Sequence, residues 1–336
     1  MRQWMIAKGS TSLAGLSLRQ VPDPVPGPGE VLVRVHACSI NYRDQIIPLG
    51  FYMGGPVAED TVPLSDGAGE IVALGEGVTG WAVGDRVAGL FFQNWADGAP
   101  SPAIGPALGA AGAPGMLQDL VALPAHGVVR IADSLSYEQA ACLPCAGVTA
   151  WNALMAGPRP VKAGDSVLVL GTGGVSLLAL QIAKAAGATV VATSSSDAKL
   201  ERVRALGADH TINYRTTPEW GAEAARLTGG IDHVVEVGGA GTLAQSIAAV
   251  GFAGEIALIG VLTREGNTNP HGLMFKGASI RGIFVGSRAM AEGLNAHVDA
   301  HGIQPVIDRR FAIEDTLDAF AYVASPDLFG KVVIML

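Results

Sequence analysis

The chain has little charge, few aromatic residues and almost no cysteine. Of 336 residues, 15% are charged and 6% aromatic, while 49% are hydrophobic. Extended disorder needs the opposite balance, so it is excluded, and a core of domain size is available. A basic excess is also missing. The 22 Lys and Arg stand against 30 Asp and Glu, a net charge of −8 with histidine neutral. That argues against nucleic acid or an anionic membrane as partner. No apolar run reaches the roughly 18 residues that a membrane helix needs. The N-terminus shows no basic n-region followed by an apolar h-region, so a cytoplasmic protein is expected.

The three cysteines are Cys38, Cys142 and Cys145. An odd, small number fits a reducing compartment. Cys142 and Cys145 have C-x-x-C spacing, but no second pair completes a zinc ribbon. They follow a Ser136-x-x-Gln139 capping box and read as packed residues on one helix face, with a redox pair as the alternative. The seven histidines are scattered, with no pair at metal spacing on one element.

What the chain does have is a strand, a glycine turn and a helix in succession. Val167–Leu170 is a short apolar run suited to a buried parallel strand. Gly171-Thr172-Gly173-Gly174-Val175-Ser176 follows, then an apolar helix from Leu177 to Ala186 that Gly187 stops. Gly171 permits the sharp turn and Gly173 lets the backbone approach a phosphate. The amides that open the helix then face negative charge, which is how a dinucleotide pyrophosphate is held.

Length suggests two domains. Residues 1–132 are rich in Gly, Pro and β-branched residues, and Val31–Ala37 alternates as a strand. From 133 to 299 strands and helices alternate. Strands are expected near 166–170, 189–193, 210–213, 233–237, 255–259 and 279–284, giving an α/β fold with a doubly wound, six-stranded parallel Rossmann sheet. Residues 300–336 end in Lys331-Val-Val-Ile-Met-Leu336, a strand expected to return to the N-terminal β domain. Residues 97–115 read as a long loop or lobe. The second Rossmann strand ends in Ala192-Thr-Ser-Ser195-Ser196-Asp197-Ala-Lys199. An NAD site puts an acid at this corner; small hydroxyls and a lysine suit the 2′-phosphate of NADP(H) instead. Asp197 is the competing detail, since a shift of the turn would make it the NAD acid.

These motifs are shared with a known family. Asp66-Gly-Ala-Gly-Glu70, Gly75-x-Gly77 with Val83-Gly-Asp-Arg-Val87, Leu143-Pro-Cys-Ala-Gly-Val-Thr-Ala-Trp151, the glycine turn, Gly207-Ala-Asp209 and Ile212-Asn-Tyr214 occur at its intervals. The chain resembles the medium-chain dehydrogenases/reductases along its whole length, in the branch of zinc-independent alcohol dehydrogenases and quinone oxidoreductases. The resemblance implies a GroES-like catalytic domain beside the Rossmann domain, a cleft between them as active site, and a homodimer joined through the sixth strand at about 278–285.

The resemblance also locates departures. Zinc members carry a Cys, a His-Glu pair and a second Cys where this chain has Asn41, Ser65-Asp66 and Cys145. One thiolate cannot hold a zinc that wants about three protein ligands. The lobe at roughly 93–115 lacks the four cysteines of a structural zinc, so no zinc is expected. Without a Lewis acid, conjugate reduction of an enone or quinone fits, because charge delocalises as hydride adds. Asn41 is the candidate donor to the substrate oxygen, and Tyr42 and Tyr52 are candidate proton sources. Asp44 and Asp66 are read as orienting Arg43. Phe91, Phe92, Asn94 and Trp95 lie where the family lines its substrate pocket. By the same resemblance Tyr214 joins Ser195, Ser196 and Lys199 at the phosphate. Thr149, Gly238, Ile259, Gly260, Val261, Phe284, Val285 and Ser287 are expected around the nicotinamide. The alternatives are a zinc-independent alcohol dehydrogenase or carbonyl reductase, and a non-enzymatic NADP(H)-binding protein.

Overall fold

Alternating β-branched residues in the first third of the chain form strands, as their period of two requires. The computed structural model describes residues 1–336 apart from Met53, Val261 and Arg264. The strands here are β1 (Arg2–Ile6), β2 (Leu16–Gln20), β3 (Glu30–Ile40), β4 (Asp66–Leu74), β5 (Arg86–Gly89), β6 (Leu120–Pro124) and β7 (Val128–Arg130). Short helices α1 (Tyr42–Ile46) and α2 (Tyr137–Ala140) interrupt and follow them, and α3 (Val148–Leu154) leads onward. The alternating part then runs β8 (Ser166–Leu170), α4 (Gly174–Ala185), β9 (Thr189–Ser194), α5 (Asp197–Ala205), β10 (His210–Asn213), α6 (Trp220–Thr228), β11 (Ile231–Glu236), α7 (Leu243–Ala249), β12 (Val250–Leu258), α8 (His271–Lys276) and β13 (Ser279–Gly282). It ends with α9 (Arg288–His301), β14 (Ile307–Ala312), α10 (Thr316–Val323) and β15 (Lys331–Met335).

Two compact units result. One holds Met1–Val148 with Gly286–Leu336, the other Thr149–Val285. The first is built on the sheet β14-β15-β3-β4-β5-β7, with β6 also on β3. Val31, Val33 and Val35 of β3 point into its core with Trp4, Leu108, Met116 and Phe320. The terminal strand does return to this sheet, antiparallel to β3 with Val332 opposite Ile40. Residues 133–148 and α9, read from sequence with the Rossmann part, fall in this first unit. Arg288 Nη2 donates to Val128 O at 2.6 Å and Asn295 Nδ2 to Arg130 O at 2.7 Å, which fastens α9 to β7.

The second unit is a six-stranded sheet in the order β10-β9-β8-β11-β12-β13. Each neighbouring pair is parallel, the doubly wound pattern of a Rossmann fold. β8 is buried along its length, as its unbroken apolar run demands. The sixth strand is shorter and more polar than expected. It reads Ser-Ile-Arg-Gly, and Arg281 turns back to Glu255 at 3.0 Å rather than joining an apolar edge. No helix among the described residues is long and apolar enough to cross a membrane.

One buried titratable group sits under this sheet. His233 on β11 is 2% exposed, with Nε2 3.2 Å from the Asp165 carboxylate. Burial holds its pKa below the ordinary 6.5, although Asp165 pulls the other way. The unfolded chain therefore binds a proton more readily, and stability is lost as pH falls from that value toward the lower folded-state pKa. The slope is at most about 1.4 kcal/mol per pH unit for one group. Urea unfolding of the protein and of His233→Gln at neutral pH and near pH 5 should show a shallower loss in the variant. Parallel losses would clear His233 of the effect.

Candidate functional site

The corner that matters most in the first unit is set by strand register. Because β15 runs antiparallel to β3 with Val332 opposite Ile40, Lys331 comes beside Asn41 at the end of β3. Its Nζ donates to Ile40 O at 2.8 Å and to Asn41 Oδ1 at 2.5 Å. An ammonium has no acceptor, so the contact fixes the amide flip: Oδ1 faces Lys331 and Nδ2 faces away. Nδ2 then lies 3.5 Å from Ser65 Oγ, a long and weak contact. The Ser65 hydroxyl donates to Asp66 Oδ1 at 2.7 Å. Asp66 Oδ2 accepts the Cys145 amide at 3.2 Å from within a π-helical turn, Leu143–Gly147. Asp66 is wholly buried, and these bonds are what make its burial tolerable.

Helix α1 starts at the same corner. The Asp44 carboxylate accepts the Asn41 amide at 2.8 Å, holding the first turn. Asp44 Oδ1 also accepts from Arg43 Nη1 at 3.2 Å, and that nitrogen donates to Leu108 O at 2.8 Å. Tyr52 and Phe91 flank the guanidinium, with ring centroids 4.8 and 4.9 Å from Cζ. Burial opposes the Arg43 charge, but Asp44 and Tyr52 outweigh it and hold the pKa above the ordinary value. Burial pushes the Asp44 carboxyl up and the Arg43 guanidinium pulls it back.

The remaining expectations for this unit divide. Tyr52 is half-buried on Arg43, whereas Tyr42 is 43% exposed. Phe91 lines the Arg43 corner. Phe92 and Trp95 are buried, Phe92 edge-on to Phe91 and Trp95 Nε1 donating to Gly98 O. Asn94 is exposed and its Oδ1 meets His126 Nε2 at 2.9 Å. Ser287 is buried and caps α9, accepting from Met290 N at 3.3 Å. Cys142 and Cys145 are not on one regular helix face. The capping box at Ser136 and Gln139 starts α2, but Cys142 then precedes the π-helical turn that holds Cys145. Burial pushes the Cys142 thiol up to about 12 and raises Cys145 as well, with Asp66 adding to it. Neither is poised as a thiolate.

The second unit presents the glycine turn. Gly171 has φ +74°, a conformation open to glycine, and its amide donates to Thr193 O at 3.0 Å. Nothing lies within 4 Å of where a Cβ would stand on Gly171 or Gly173. Gly173 begins α4 without a side-chain cap, so the first-turn amides of Gly174, Val175 and Ser176 face that space, and Thr172 is buried in the turn itself. Ser176 Oγ donates to Leu170 O at 2.6 Å and fastens the helix to β8. At the end of β9 stands Ser194, not an acid. Ser196 caps α5, accepting the Lys199 amide at 3.4 Å, and Asp197 accepts from Asn213 Nδ2 at 2.7 Å. Ser195 and Lys199 are half-buried, and Tyr214, exposed, follows β10 with its amide on Ser194 O.

Sequence reasoning missed the residues that shape the loops after β11 and β13. Glu236 is fully buried. Its Oε1 accepts from Gly238 N at 2.7 Å, Gly239 N at 2.9 Å and Thr242 Oγ1 at 2.6 Å, and Oε2 accepts from Ser246 Oγ. Its own carbonyl accepts the amides of Ile259 and Gly260 at 2.9 Å. A Cβ on Gly260 would come within 2.8 Å of Gly239 Cα, so glycine is required there. Val261 lies outside the described residues. Thr149 is buried at the start of α3, and Asn152 on the same helix donates from Nδ2 to Val285 O at 2.7 Å. Arg281 Nη1 in turn donates to Asn152 Oδ1 at 2.9 Å. Val285 has φ +53°, rare for a β-branched residue, and follows the exposed Phe284. A lone acid ending a strand before Gly-Gly was the available signal for Glu236. The Val285 strain had none.

Comparison with known proteins agrees with this layout. Residues 27–133 match the family model described as alcohol dehydrogenase GroES-like domain, and 174–299 that of zinc-binding dehydrogenase. A zinc-type alcohol dehydrogenase-like protein of Schizosaccharomyces pombe is 47% identical over 94% of this chain and 93% of its own. The chain belongs to the medium-chain dehydrogenase/reductase superfamily. Human quinone oxidoreductase is 29% identical over 93% of this chain and 91% of its own. A crystal structure of an NAD-dependent alcohol dehydrogenase is 32% identical, covers 100% of both chains and has a TM-score of 0.89. The GroES-like and Rossmann parts are thus those of an oxidoreductase.

The residues of this medium-chain dehydrogenase/reductase suit a dinucleotide and zinc unequally. The glycine turn fits a dinucleotide: open space at Gly171 and Gly173 and uncapped amides at α4 are what a pyrophosphate occupies. The corner of Asn41, Ser65, Asp66 and Cys145 does not fit zinc. An amide and a hydroxyl replace two donors, and the Lys331 ammonium on Asn41 Oδ1 would repel a dication. Among the described residues no group of three or more His, Cys, Asp or Glu could hold a metal.

Proposed function

We propose that this oxidoreductase transfers hydride between NADP(H) and a conjugated enone, quinone or related carbonyl, without a metal. The observation that carries the reading is the Lys331–Asn41 contact, which turns Asn41 Nδ2 away from Lys331, toward Ser65 Oγ, as a neutral donor. When bound, the dinucleotide supplies the hydride. Asn41 Nδ2 donates to the substrate oxygen as charge develops there, and its preorganisation by Lys331 removes the cost of reorienting the amide during reaction. Asp44 supports the same residue from the backbone side. Tyr52, held against Arg43, is better placed than the exposed Tyr42 to deliver the proton. The loops tied by Glu236 and by Asn152 and Val285 offer backbone groups to the nicotinamide end.

NADP(H) is favoured over NAD(H) by the corner after β9. Ser194 stands where a ribose-binding acid is needed, and Asp197, the acid that opens α5, is engaged by Asn213. Ser196 accepts the Lys199 amide, which leaves its hydroxyl proton free to donate. Ser195, Ser196, Lys199 and Tyr214 together suit a 2′-phosphate. We infer a homodimer as well. β13 is a sheet edge, and Phe252, Met274 and Phe275 of the same unit are 82, 66 and 74% exposed. Sedimentation over a wide concentration range should show a dimer, and a monomer throughout would refute it.

The chemistry is tested with a panel of enones, quinones, aldehydes and alcohols, followed by NADPH absorbance in the presence of a strong chelator. Turnover should persist with far less than one zinc per chain. Asn41→Ala should lower kcat about a hundredfold to a thousandfold, the cost of one donor to an oxyanion, with NADPH affinity little changed. Stoichiometric zinc lost together with activity, or an unchanged kcat in the variant, would overturn this reading.

Cofactor choice has its own check. Lys199→Ala should weaken NADPH about tenfold to a hundredfold, as expected for one charge-assisted contact, and NADH much less. Equal losses in fluorescence titrations would place Lys199 away from the phosphate.

A further inference from the structure

Arg43 has a use that the hydride reading leaves unassigned. The residue is 8% exposed, so its guanidinium has little access to water. Nη1 donates to Asp44 Oδ1 and Leu108 O, and the Tyr52 side chain also acts on the group. Among the described residues Nε and Nη2 are buried and meet no hydrogen-bond acceptor. A buried charged donor left unmet costs about 1–3 kcal/mol or more, so two adjacent ones call for an explanation. Nε–H and Nη2–H point the same way from one edge of the planar group. That edge matches the two oxygens of a carboxylate in a bidentate pair.

The surroundings select for such a ligand. Tyr52 and Phe91 lie against the guanidinium, with ring centroids 4.8 and 4.9 Å from Cζ, and the Nε–Nη2 edge is itself buried. Asp44, the neighbouring acid, is wholly buried, and Nη1 alone of the guanidinium nitrogens reaches it. It also accepts the Asn41 amide, so it is committed to helix α1. Arg43 is two positions from Asn41 at the start of α1, and its charge acts on Cys145, whose amide is bound by Asp66 in the Asn41 corner.

We propose that the Nε–Nη2 edge of Arg43 binds a carboxylate of the substrate, so that the preferred substrates are carbonyl or enone compounds that carry an acid group. The proposal rests on the reading of this chain as a carbonyl-reducing oxidoreductase and narrows its substrate class. Arg43 is then a specificity residue: it holds the acid end while Asn41 meets the reacting carbonyl.

The test separates binding from turnover. Levulinate and methyl levulinate are titrated calorimetrically into the protein, with and without NADP⁺, and β-acetylacrylate is compared with its methyl ester in turnover. The acid should bind at least about tenfold better than the ester, and kcat/KM should show the same preference. Arg43→Met should lower the acid-over-ester ratio about tenfold to a hundredfold. Arg43→Lys, which keeps the charge but loses the planar edge, should also reduce the ratio and serves if Met at this position fails to fold. Equal binding of acid and ester by the unaltered protein, or a ratio unmoved in the variants, would overturn the proposal. If the acid preference is found but no enone, quinone or carbonyl is turned over, the hydride reading fails and the Arg43 site stands.

Discussion

The pairing of β15 with β3 is the constraint on which the candidate site depends. Its register sets Val332 opposite Ile40, and so brings Lys331 to Asn41 across 290 residues of chain. A slip of one residue would turn Lys331 to the other face of the sheet. The ammonium would lose Asn41 Oδ1, and the amide would be free to flip. Everything after that follows by hydrogen-bond polarity. Lys331 can only donate, so Asn41 must accept there and donate elsewhere. Asp44 then takes the Asn41 backbone amide and starts α1, which carries Arg43. Burying two cations and two carboxylates in this corner would be costly one at a time. Each is instead held by at least one charged or hydrogen-bonded partner, which keeps the corner rigid rather than especially stable.

The second unit shapes its backbone loops with buried polar side chains. Glu236 gathers four donors from Gly238, Gly239, Thr242 and Ser246. A buried carboxylate is expensive unless it is met in this way, and here the cost is turned into loop geometry. Thr263 adds a second tie, its amide and hydroxyl both donating to Gly238 O at 2.8 and 2.7 Å. Near β13, Val285 sits at positive φ with its carbonyl held by Asn152, which Arg281 holds in turn. Such strain persists only where neighbours over-determine it, and it tends to mark functional backbone.

How far the sequence could be read depended on whether a feature is local. Strands β8, β9, β11 and β12 were legible because each carries an apolar stretch bounded by turn residues, and Gly171 announced the sharp turn. The GroES-like half showed its strands through alternation. The Lys331–Asn41 contact was not legible, since it arises from the register of strands far apart in sequence. The extent of β13 was overestimated because Ala278 to Val285 looks apolar, whereas Arg281 is drawn inward by Glu255 and Asn152. Residues 133–148 and α9 look like parts of an alternating βα pattern, yet the former bond to β3 and β4 and α9 bonds to β7. Among the aromatic run all three are buried, and Phe91 packs on Arg43. Nothing in the spacing of the three could have separated them.

The corner around Asn41 also bears on which reaction the chain can support. A metal stabilises negative charge on any oxygen that reaches it, so it suits an alkoxide whose charge is localised. An amide N–H gives a weaker, directional, neutral contact, and it is worth most when aimed at the place where charge develops. On the proposed reading Asn41 is aimed by Lys331 and supported by Asp44, but it remains one donor, with Ser65 Oγ 3.5 Å from it. A reaction that spreads its charge along a conjugated system asks less of that donor. The same weakness makes substrate positioning matter more, because a single hydrogen bond cannot correct a misplaced carbonyl. A second anchor on the substrate would supply that positioning, and the unmatched edge of Arg43 is the group in this corner with the polarity and the geometry to provide it.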